Sequence, residues 1–227
     1  MIPIRDELPT RKFPFITVFL ISLNVFLFLF EMVQGQGLDL FLKQGGLIPA
    51  VLWGQETISG SFLHPWLTLL SSMFLHGNIL HLGSNMLYLW IFGNNVEDFL
   101  GHFQYLIFYL LSGISSGFIH ALIFSSSTIP TIGASGAIAG VMGGYLVLFP
   151  EARIVVMLIF GFFITFVKVK AMVVLGLWIL LQLFSGLTTL GMTNRGGVAW
   201  FAHIGGFLFG ALWCKIVSNR YYRTHYW

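Results

Sequence analysis

A serine between glycines is the first candidate for chemistry in this chain. The segment Gly133-Ala134-Ser135-Gly136-Ala137 places a hydroxyl at the start of an apolar run. Glycine permits a tight turn and the close approach of another backbone, which a nucleophilic serine needs and a serine that only fills a helix interface does not. The pattern is short, so it indicates a nucleophile only if a base and an oxyanion site lie at the same depth.

Two other segments offer those groups. His203 lies early in the last apolar run, and an imidazole can take the proton of a hydroxyl. His81 and Asn85 are four residues apart and share one helix face, where two neutral donors could bind an oxyanion. His76 is about 140° away from His81 around the helix, so we expect it to serve elsewhere, structurally.

The composition is that of an integral membrane protein. Of 227 residues, 57% are hydrophobic and only 8% are charged, whereas a soluble domain carries roughly a quarter charged residues. The net charge of +3 is small and the basic residues lie at the ends of apolar runs, which membrane topology explains better than nucleic acid does. The single cysteine, Cys214, cannot form an internal disulfide.

Apolar runs predict six membrane spans, because about 20 residues cross a bilayer as a helix. They are Phe15–Val33, 75–96, 103–124, 136–149, 171–190 and 199–217. The run 154–167 would reach only about 21 Å as a helix, against roughly 30 Å of hydrocarbon. We predict that it forms an interfacial or re-entrant loop.

The spans divide the chain into one domain with short ends. Residues 1–14 are predicted to be a cytoplasmic N-terminal segment, 15–217 a single six-helix domain, and 218–227 a cytoplasmic tail anchored by aromatic and basic side chains at headgroup level. With the N-terminus inside, only Lys43 and Arg195 among the basic residues of the loops and tails fall outside. We expect a multi-pass protein of a prokaryotic plasma membrane.

The short fourth span places Ser135 below the membrane surface. The run 136–149 reaches about 21 Å before Pro150 stops it, so Ser135 should lie roughly 9 Å beneath the outer surface. His203 should lie about 6 Å beneath it. A polar stretch, 125–131, precedes the serine, which indicates a water-filled dip. A thinned bilayer with Ser135 as an ordinary helix cap explains the length equally well.

Small residues predict that the fourth and sixth spans touch. They recur every four positions, as Gly136, Gly140 and Gly144 in one span and Ala202, Gly206 and Gly210 in the other. Such stripes let helices approach closely in lipid, although packing without chemistry would use them too. Because no Asp or Glu lies in the outer half of these spans, the pattern predicts a Ser-His dyad. The backbone N–H of Ser135 would add to the oxyanion site.

These motifs together resemble the rhomboid family of intramembrane serine proteases. The resemblance rests on G-A-S-G at 133–136, A-H-I-G-G at 202–206 and H-G-N-I-L-H-L-G-S-N at 76–85, and it covers roughly 62–210. The segment 92–97 and the later Gly101 are similar to the end of the family's second span. The resemblance implies an all-α, polytopic six-transmembrane-helix bundle whose first loop, within 34–74, is partly embedded in the membrane.

The resemblance also implies the roles of individual residues. Ser135 is the nucleophile, His203 the general base and acid, and His81, Asn85 and the Ser135 amide the oxyanion hole. The supporting residues are Gly133, Gly136, Gly206, Gly210 and His76. The substrates are membrane proteins cut near the outer end of a transmembrane helix, with water as the second reactant and neither cofactor nor metal.

The chain departs from the family pattern at two positions. Family members often carry an aromatic residue one turn after the serine, where this chain has Ala139. The tryptophan of a Trp-Arg motif corresponds to Trp66, but Leu67 follows it.

Other classes of function are less well supported by the sequence. A catalytically silent relative that binds transmembrane helices would be expected to lack the serine or the histidine. A metal or haem protein could use His76, His81 and His203, but the H-E-x-x-H pattern is absent. Neither paired intramembrane aspartates nor convincing internal repeats are present, which disfavours an aspartyl protease and a transporter. Four further histidines are predicted to be loop or packing residues: His64, His102, His120 and His225.

Overall fold

The computed structural model describes residues 2–61, 63–161, 163–190 and 198–226. Within these ranges it describes the backbone, but not the side chains, of Thr189 and of residues 220–226. Nine α-helices occur in these residues: α1 (Phe15–Val33), α2 (Leu38–Gly45), α3 (Pro49–Leu52), α4 (Thr68–Ser71), α5 (Ile79–Leu100), α6 (His102–Ile123), α7 (Ser135–Leu148), α8 (Ala171–Thr189) and α9 (Trp200–Tyr226). Arg195 lies outside the described residues, and so do the side chains of His225 and of the predicted anchor of the tail.

The protein is mostly helical and membrane-spanning. Among the described residues, four helices are long and apolar enough to cross a bilayer: α1, α6, α8 over Ala171–Thr188 and α9 over Trp200–Asn219. The apolar helix α7 is shorter, with 14 residues. Helix α5 has 22 residues, or about 33 Å, but it carries more polar side chains. Helix α9 continues through 218, so no break separates the predicted domain from the predicted tail.

A three-stranded antiparallel sheet corrects the all-α prediction. The strands are β1 (Ile2–Asp6), β2 (Arg153–Phe160) and β3 (Phe163–Lys170), in the order β1-β2-β3. The run 154–167 is therefore a β-hairpin rather than an interfacial or re-entrant loop. Its β-branched and aromatic residues favour strands, and Gly161 supplies a positive φ of 58° at the turn.

The predicted N-terminal segment is part of this sheet. Its β1 residues pair with β2 from Ile2 opposite Met157 to Asp6 opposite Ile154. A two-stranded hairpin is only marginally stable, and a third strand adds pairing and burial. Outside the spans, an ion pair with Lys168 on β3 lowers the pKa of Glu7, while burial raises the pKa of Asp6. From Ile2 onward, the predicted N-terminal segment is thus folded against the domain.

Helix α1 is held at both ends by buried carboxylates. Near its start, Glu97 of α5 accepts hydrogen bonds from the backbone N–H groups of Ile16 and Thr17, both at 2.8 Å. These N–H groups have no partner within the helix, so the carboxylate satisfies them. Near the other end, Glu31 accepts from the backbone N–H of His76 at 3.1 and 3.2 Å. Helices α1 and α5 therefore run antiparallel.

In the described part of the chain, the six helices of 14 or more residues, α1 and α5 to α9, run between two ends of the bundle. At the sheet end, α6 begins where α5 stops, α7 finishes with Tyr145 donating to Asp6 at 2.8 Å, and α8 begins after β3. At the opposite end, α5, α7 and α9 begin, and α1, α6 and α8 finish. We call this second end the site end, because the predicted reacting residues lie there.

The stretch between α1 and α5 folds over the site end, and its described residues, 34–61 and 63–78, form three short α-helices and three 3-10 turns. Trp53 fixes it to α6 by donating its Nε1–H to the carbonyl of Ala121 at 2.8 Å. Trp66 packs edge-on against Trp53 at 5.8 Å between ring centroids and lies 6.4 Å from Phe118. Leu67, which stands where the family has arginine, is exposed. Aromatic packing and this indole hydrogen bond therefore help to anchor the stretch, together with the two backbone hydrogen bonds between Leu47 and Thr131.

Candidate active site

Ser135 is the first residue of α7, and Gly133 shapes the turn before it. Gly133 has a φ of 120°, which other residues rarely adopt, and its N–H donates to the carbonyl of Ser72 at 2.8 Å. A Cβ built on Gly133 would lie 2.7 Å from Nε2 of His81. The turn therefore needs glycine both for its conformation and for the close approach of an imidazole.

His203 lies in the first turn of α9, within hydrogen-bond distance of the serine. Its Nε2 is 2.9 Å from Oγ of Ser135. The two helices are close because a Cβ on Gly206 would meet the carbonyl oxygen of Gly136. The structure thus brings together the hydroxyl and the imidazole that the sequence singled out, through the predicted contact of α7 and α9.

A third residue of this network, Gln182 of α8, was not predicted. Its Oε1 is 2.8 Å from Nδ1 of His203, and the side chain is only 6% exposed. A signal was present in the sequence, because an amide within an apolar span is costly unless it faces a partner. Its partner could not be read from the sequence, since His203 lies 21 positions away on another helix.

The rings around His203 come from α8 and α9 rather than from α7. Trp178 lies 5.8 Å from the imidazole with an interplanar angle of 34°, and Trp200 lies 6.4 Å away, edge-on. Ala139, where the family pattern has an aromatic residue, is fully buried. In this chain Trp178 therefore supplies a ring facing the imidazole.

His81 and Asn85 occupy the first two turns of α5. The helix begins there because the side-chain oxygen of Asn78 accepts from the backbone N–H of His81 at 2.8 Å, which is an N-cap. Asn85 is 6% exposed, and its Nδ2 has no hydrogen-bond partner among the described residues. Both side chains line the cavity that holds Ser135 and His203. Two polar side chains of α5 thus share the cavity with Ser135.

A cavity of 840 Å³ opens at this site and has walls from α5, α6, α7, α8 and α9. Cavities of this size accommodate ligands or short segments of chain. The reacting candidates share it with Ser116 and His120 of α6. His120 was predicted to be a packing residue. It does pack against Phe124, at 5.2 Å, but it also borders the cavity.

The remaining histidines are placed away from Ser135 and His203. His76 is buried and its ring lies 5.1 Å from that of His81. Among the described residues, no group of three or more His, Cys, Asp or Glu is arranged to hold a metal ion. His102 pairs with Glu97 at 2.6 Å, and His64 accepts from the N–H of Trp66 at 3.4 Å.

Comparison with known proteins identifies the family. The model of the Rhomboid domain matches residues 63–220. This chain belongs to the rhomboid family. The match contains α5 to α8, most of α9 and all the candidate site residues, whereas β1 and α1 precede it.

Several curated rhomboid proteins are similar to this rhomboid chain. Rhomboid protein 1, mitochondrial, of Saccharomyces cerevisiae is 31% identical over 158 residues, which are 67% of this chain and 42% of the yeast protein. The human presenilin-associated rhomboid-like protein, mitochondrial, is 31% identical over 63% of this chain and 35% of its own length. RHOMBOID-like protein 4 of Arabidopsis thaliana is 35% identical over 63% of this chain and 32% of its own length. The matches therefore span less than half of each relative.

Proposed function

We propose that this rhomboid protein is an intramembrane serine endopeptidase that uses a Ser-His dyad. The observation that carries the proposal is the 2.9 Å separation of Ser135 Oγ and His203 Nε2 in the wall of an open cavity. A hydroxyl is a weak nucleophile until an adjacent base removes its proton. Membership in a family that includes serine intramembrane proteases supports the same conclusion.

The proposed reaction follows from the placement of the groups. The backbone of a substrate helix, unwound near the membrane surface, enters the cavity. His203 takes the proton of Ser135 as the oxygen attacks the carbonyl, and the imidazolium then protonates the leaving amine. His203 then acts as the base again and takes a proton from a water molecule, which hydrolyses the acyl-enzyme. No metal or other cofactor takes part in this scheme.

The negative charge of the tetrahedral intermediate needs donors in the same cavity. His81, the unpaired Nδ2 of Asn85 and the backbone N–H of Ser135 are the candidates. Ser135 is at a helix N-terminus, where N–H groups lack intrahelical partners. Such donors, already oriented, stabilise developing charge without having to reorganise.

We further propose that α1 and the five helices α5 to α9 all span the bilayer, with the site end towards the outer face. Each of the six runs between the sheet end and the site end, which supports six crossings. The short α7 would leave Ser135 beneath the membrane surface, facing the cavity. The short helices between α1 and α5 then lie partly in the outer leaflet. Substrates are membrane proteins whose helices reach the cavity from the bilayer.

The protein is an integral multi-pass membrane protein, and the identity of the membrane stays a prediction. The sequence led us to expect a prokaryotic plasma membrane with both termini in the cytoplasm. The yeast and human relatives are mitochondrial by name and do not support that membrane.

The decisive experiment compares the wild type with Ser135→Ala on single-span reporters in liposomes. We expect the variant to lose cleavage by at least about 10⁴-fold while keeping its melting temperature, because the nucleophile is gone and no packing is lost. Ser115→Ala, on α6 and away from the cavity, is the matched control and should cut normally. Cleavage by Ser135→Ala at the wild-type rate would disprove the assignment.

Labelling with a fluorophosphonate separates the protease from a catalytically silent helix-binding protein. An activated Ser135 reacts with the probe without any need to know the substrate. We expect labelling of the wild type and none of Ser135→Ala. An unlabelled, folded wild type would favour the silent protein instead.

A further inference from the structure

We propose that Gln182 is a positioning residue, whose side-chain carbonyl holds His203 in the one tautomer that can accept the proton of Ser135. The inference rests on the proposed function, since it concerns how the dyad is prepared. It assigns to α8 a role that neither the sequence motifs nor the family match gives it.

The hydrogen-bond geometry carries the first step. Oε1 of Gln182 lies 2.8 Å from Nδ1 of His203, and a carbonyl oxygen can only accept, so Nδ1 must carry a proton. A neutral imidazole has one N–H, which leaves a lone pair on Nε2. That nitrogen is 2.9 Å from Oγ of Ser135 and can accept its hydrogen. One bond therefore determines both the tautomer and the direction of proton transfer.

The same bond persists through the proposed reaction. When His203 has taken the proton from Ser135, both ring nitrogens carry hydrogen and Nδ1 still donates to Gln182. The amide dipole then stabilises the imidazolium, as a carboxylate does in Ser-His-Asp triads, but without a full negative charge. A neutral amide suits a site within the bilayer, where an unpaired charge would be costly.

Burial shows that the amide is held in place. Gln182 is 6% exposed on a helix whose neighbouring residue Leu181 is 62% exposed, so it faces the bundle while Leu181 faces outward. A buried amide that loses its partner is destabilised, which favours the bond to His203. Trp178, one turn earlier on α8, faces the same imidazole at 5.8 Å. One helix thus contacts His203 through a ring and through a hydrogen bond.

The test uses three variants of the whole 227-residue chain in detergent. Gln182→Met keeps the length of the side chain but removes the acceptor, and Gln182→Glu keeps an acceptor. Leu181→Met, on the exposed face of the same turn, is the matched control. We measure the rate of fluorophosphonate labelling of Ser135, kcat and KM on a cleaved reporter, and the melting temperature.

We expect Gln182→Met to lower kcat and the labelling rate by about 10- to 100-fold with little change in KM, by analogy with metal-bound histidines, where loss of the hydrogen-bond partner that orients the ring has an effect of that order. Gln182→Glu should stay within roughly tenfold of the wild type, because a carboxylate also accepts from Nδ1. A folded Gln182→Met with wild-type rates would overturn the inference. Equal losses in both variants would assign the effect to packing and overturn it as well.

A spectroscopic measurement on the wild type does not depend on the variants folding. In protein labelled with ¹⁵N-histidine, His203, assigned by its loss in His203→Ala, should show a protonated Nδ1 and an unprotonated Nε2. A wild-type His203 protonated on Nε2 alone would overturn the inference while leaving Ser135 labelling, and so the proposed function, intact. Absence of Ser135 labelling in a folded wild type would instead overturn the proposed function and this inference together.

Discussion

Asn85 has a buried side-chain amide with an unused donor. Its Nδ2 lacks a hydrogen-bond partner among the described residues, although the side chain is only 6% exposed. Buried donors are nearly always paired, and an unpaired one calls for an explanation. Because this donor faces the open cavity, water can pair with it at rest, and we propose that the oxyanion takes the place of that water during reaction.

The first prediction concerns this donor. Asn85→Ala should lower kcat by about 100-fold, because loss of one oxyanion donor costs roughly 3 kcal/mol in serine hydrolases. KM should change little, since the bond forms in the transition state. The measurement is cleavage of a reporter at saturating and limiting concentrations. Asn94→Ala, two turns later on α5, removes an amide outside the cavity and should cut normally. An unchanged kcat in Asn85→Ala would remove Asn85 from the oxyanion role.

At the scale of single residues, the sequence predicts which residues belong to the site better than it predicts their hydrogen-bond partners. The proximity of Ser135 and His203 could be predicted because helical rise placed both at similar depths and glycines marked the contact. The hydrogen bond from His203 to Gln182 could not be predicted, because it depends on how α8 is rotated about its axis. Periodicity gives no such rotation for a helix that is apolar nearly all round.

At the scale of elements, the packing of α7 on α9 determines the site. The hydrogen of a glycine leaves room for a neighbouring backbone that a methyl group would not. A Cβ on Gly210 would collide with the carbonyl of Gly140, and the next pair along the helices, Gly206 and Gly136, is as close. The distance between Ser135 and His203 is thus determined by glycine contacts within the first two turns that follow them on α7 and α9.

The second prediction tests this contact. Gly210→Ala should lower the free energy of unfolding by about 1–3 kcal/mol, because the helices must separate to admit the methyl group. Fluorophosphonate labelling of Ser135 should also slow. Thermal unfolding in detergent measures the first effect. Gly176→Ala on α8 is the control, since nothing lies within 4 Å of its added Cβ and alanine favours helix. Equal melting temperatures for the two variants would contradict the predicted role of the contact.

The sequence predicts some helices and strands better than others. The first helix runs over Phe15–Val33 as expected, because a long apolar run has few alternatives in a membrane protein. The hairpin was missed because a short apolar run fits a strand or an irregular segment equally well. The third strand of the sheet, Ile2–Asp6, lies about 150 positions away from the hairpin in the sequence. No local sequence pattern shows a pairing over that distance.

On the scale of the whole molecule, the sheet constrains the topology. Because β1 pairs with β2, the N-terminus and the connection from α7 to α8 must lie on the same side of the membrane. An even number of crossings therefore separates them. Helices α1 and α6 are long and apolar enough to cross, so α5 and α7 must either both cross or both remain on one side. Their positions between the sheet end and the site end favour crossing.

The third prediction follows from this parity. Because Cys214 is fully buried, we expect it not to react with a maleimide, so single cysteines can be added and labelled one at a time. Glu151→Cys, at the base of the hairpin, should react with a membrane-impermeant maleimide from the side that carries the N-terminus. Lys43→Cys, beyond α1, should react only from the opposite side, and both should react after solubilisation. The unsubstituted protein should react from neither side. Reaction of both variants from one side of sealed vesicles would refute the arrangement, because it would put the site end and the sheet on the same face of the bilayer.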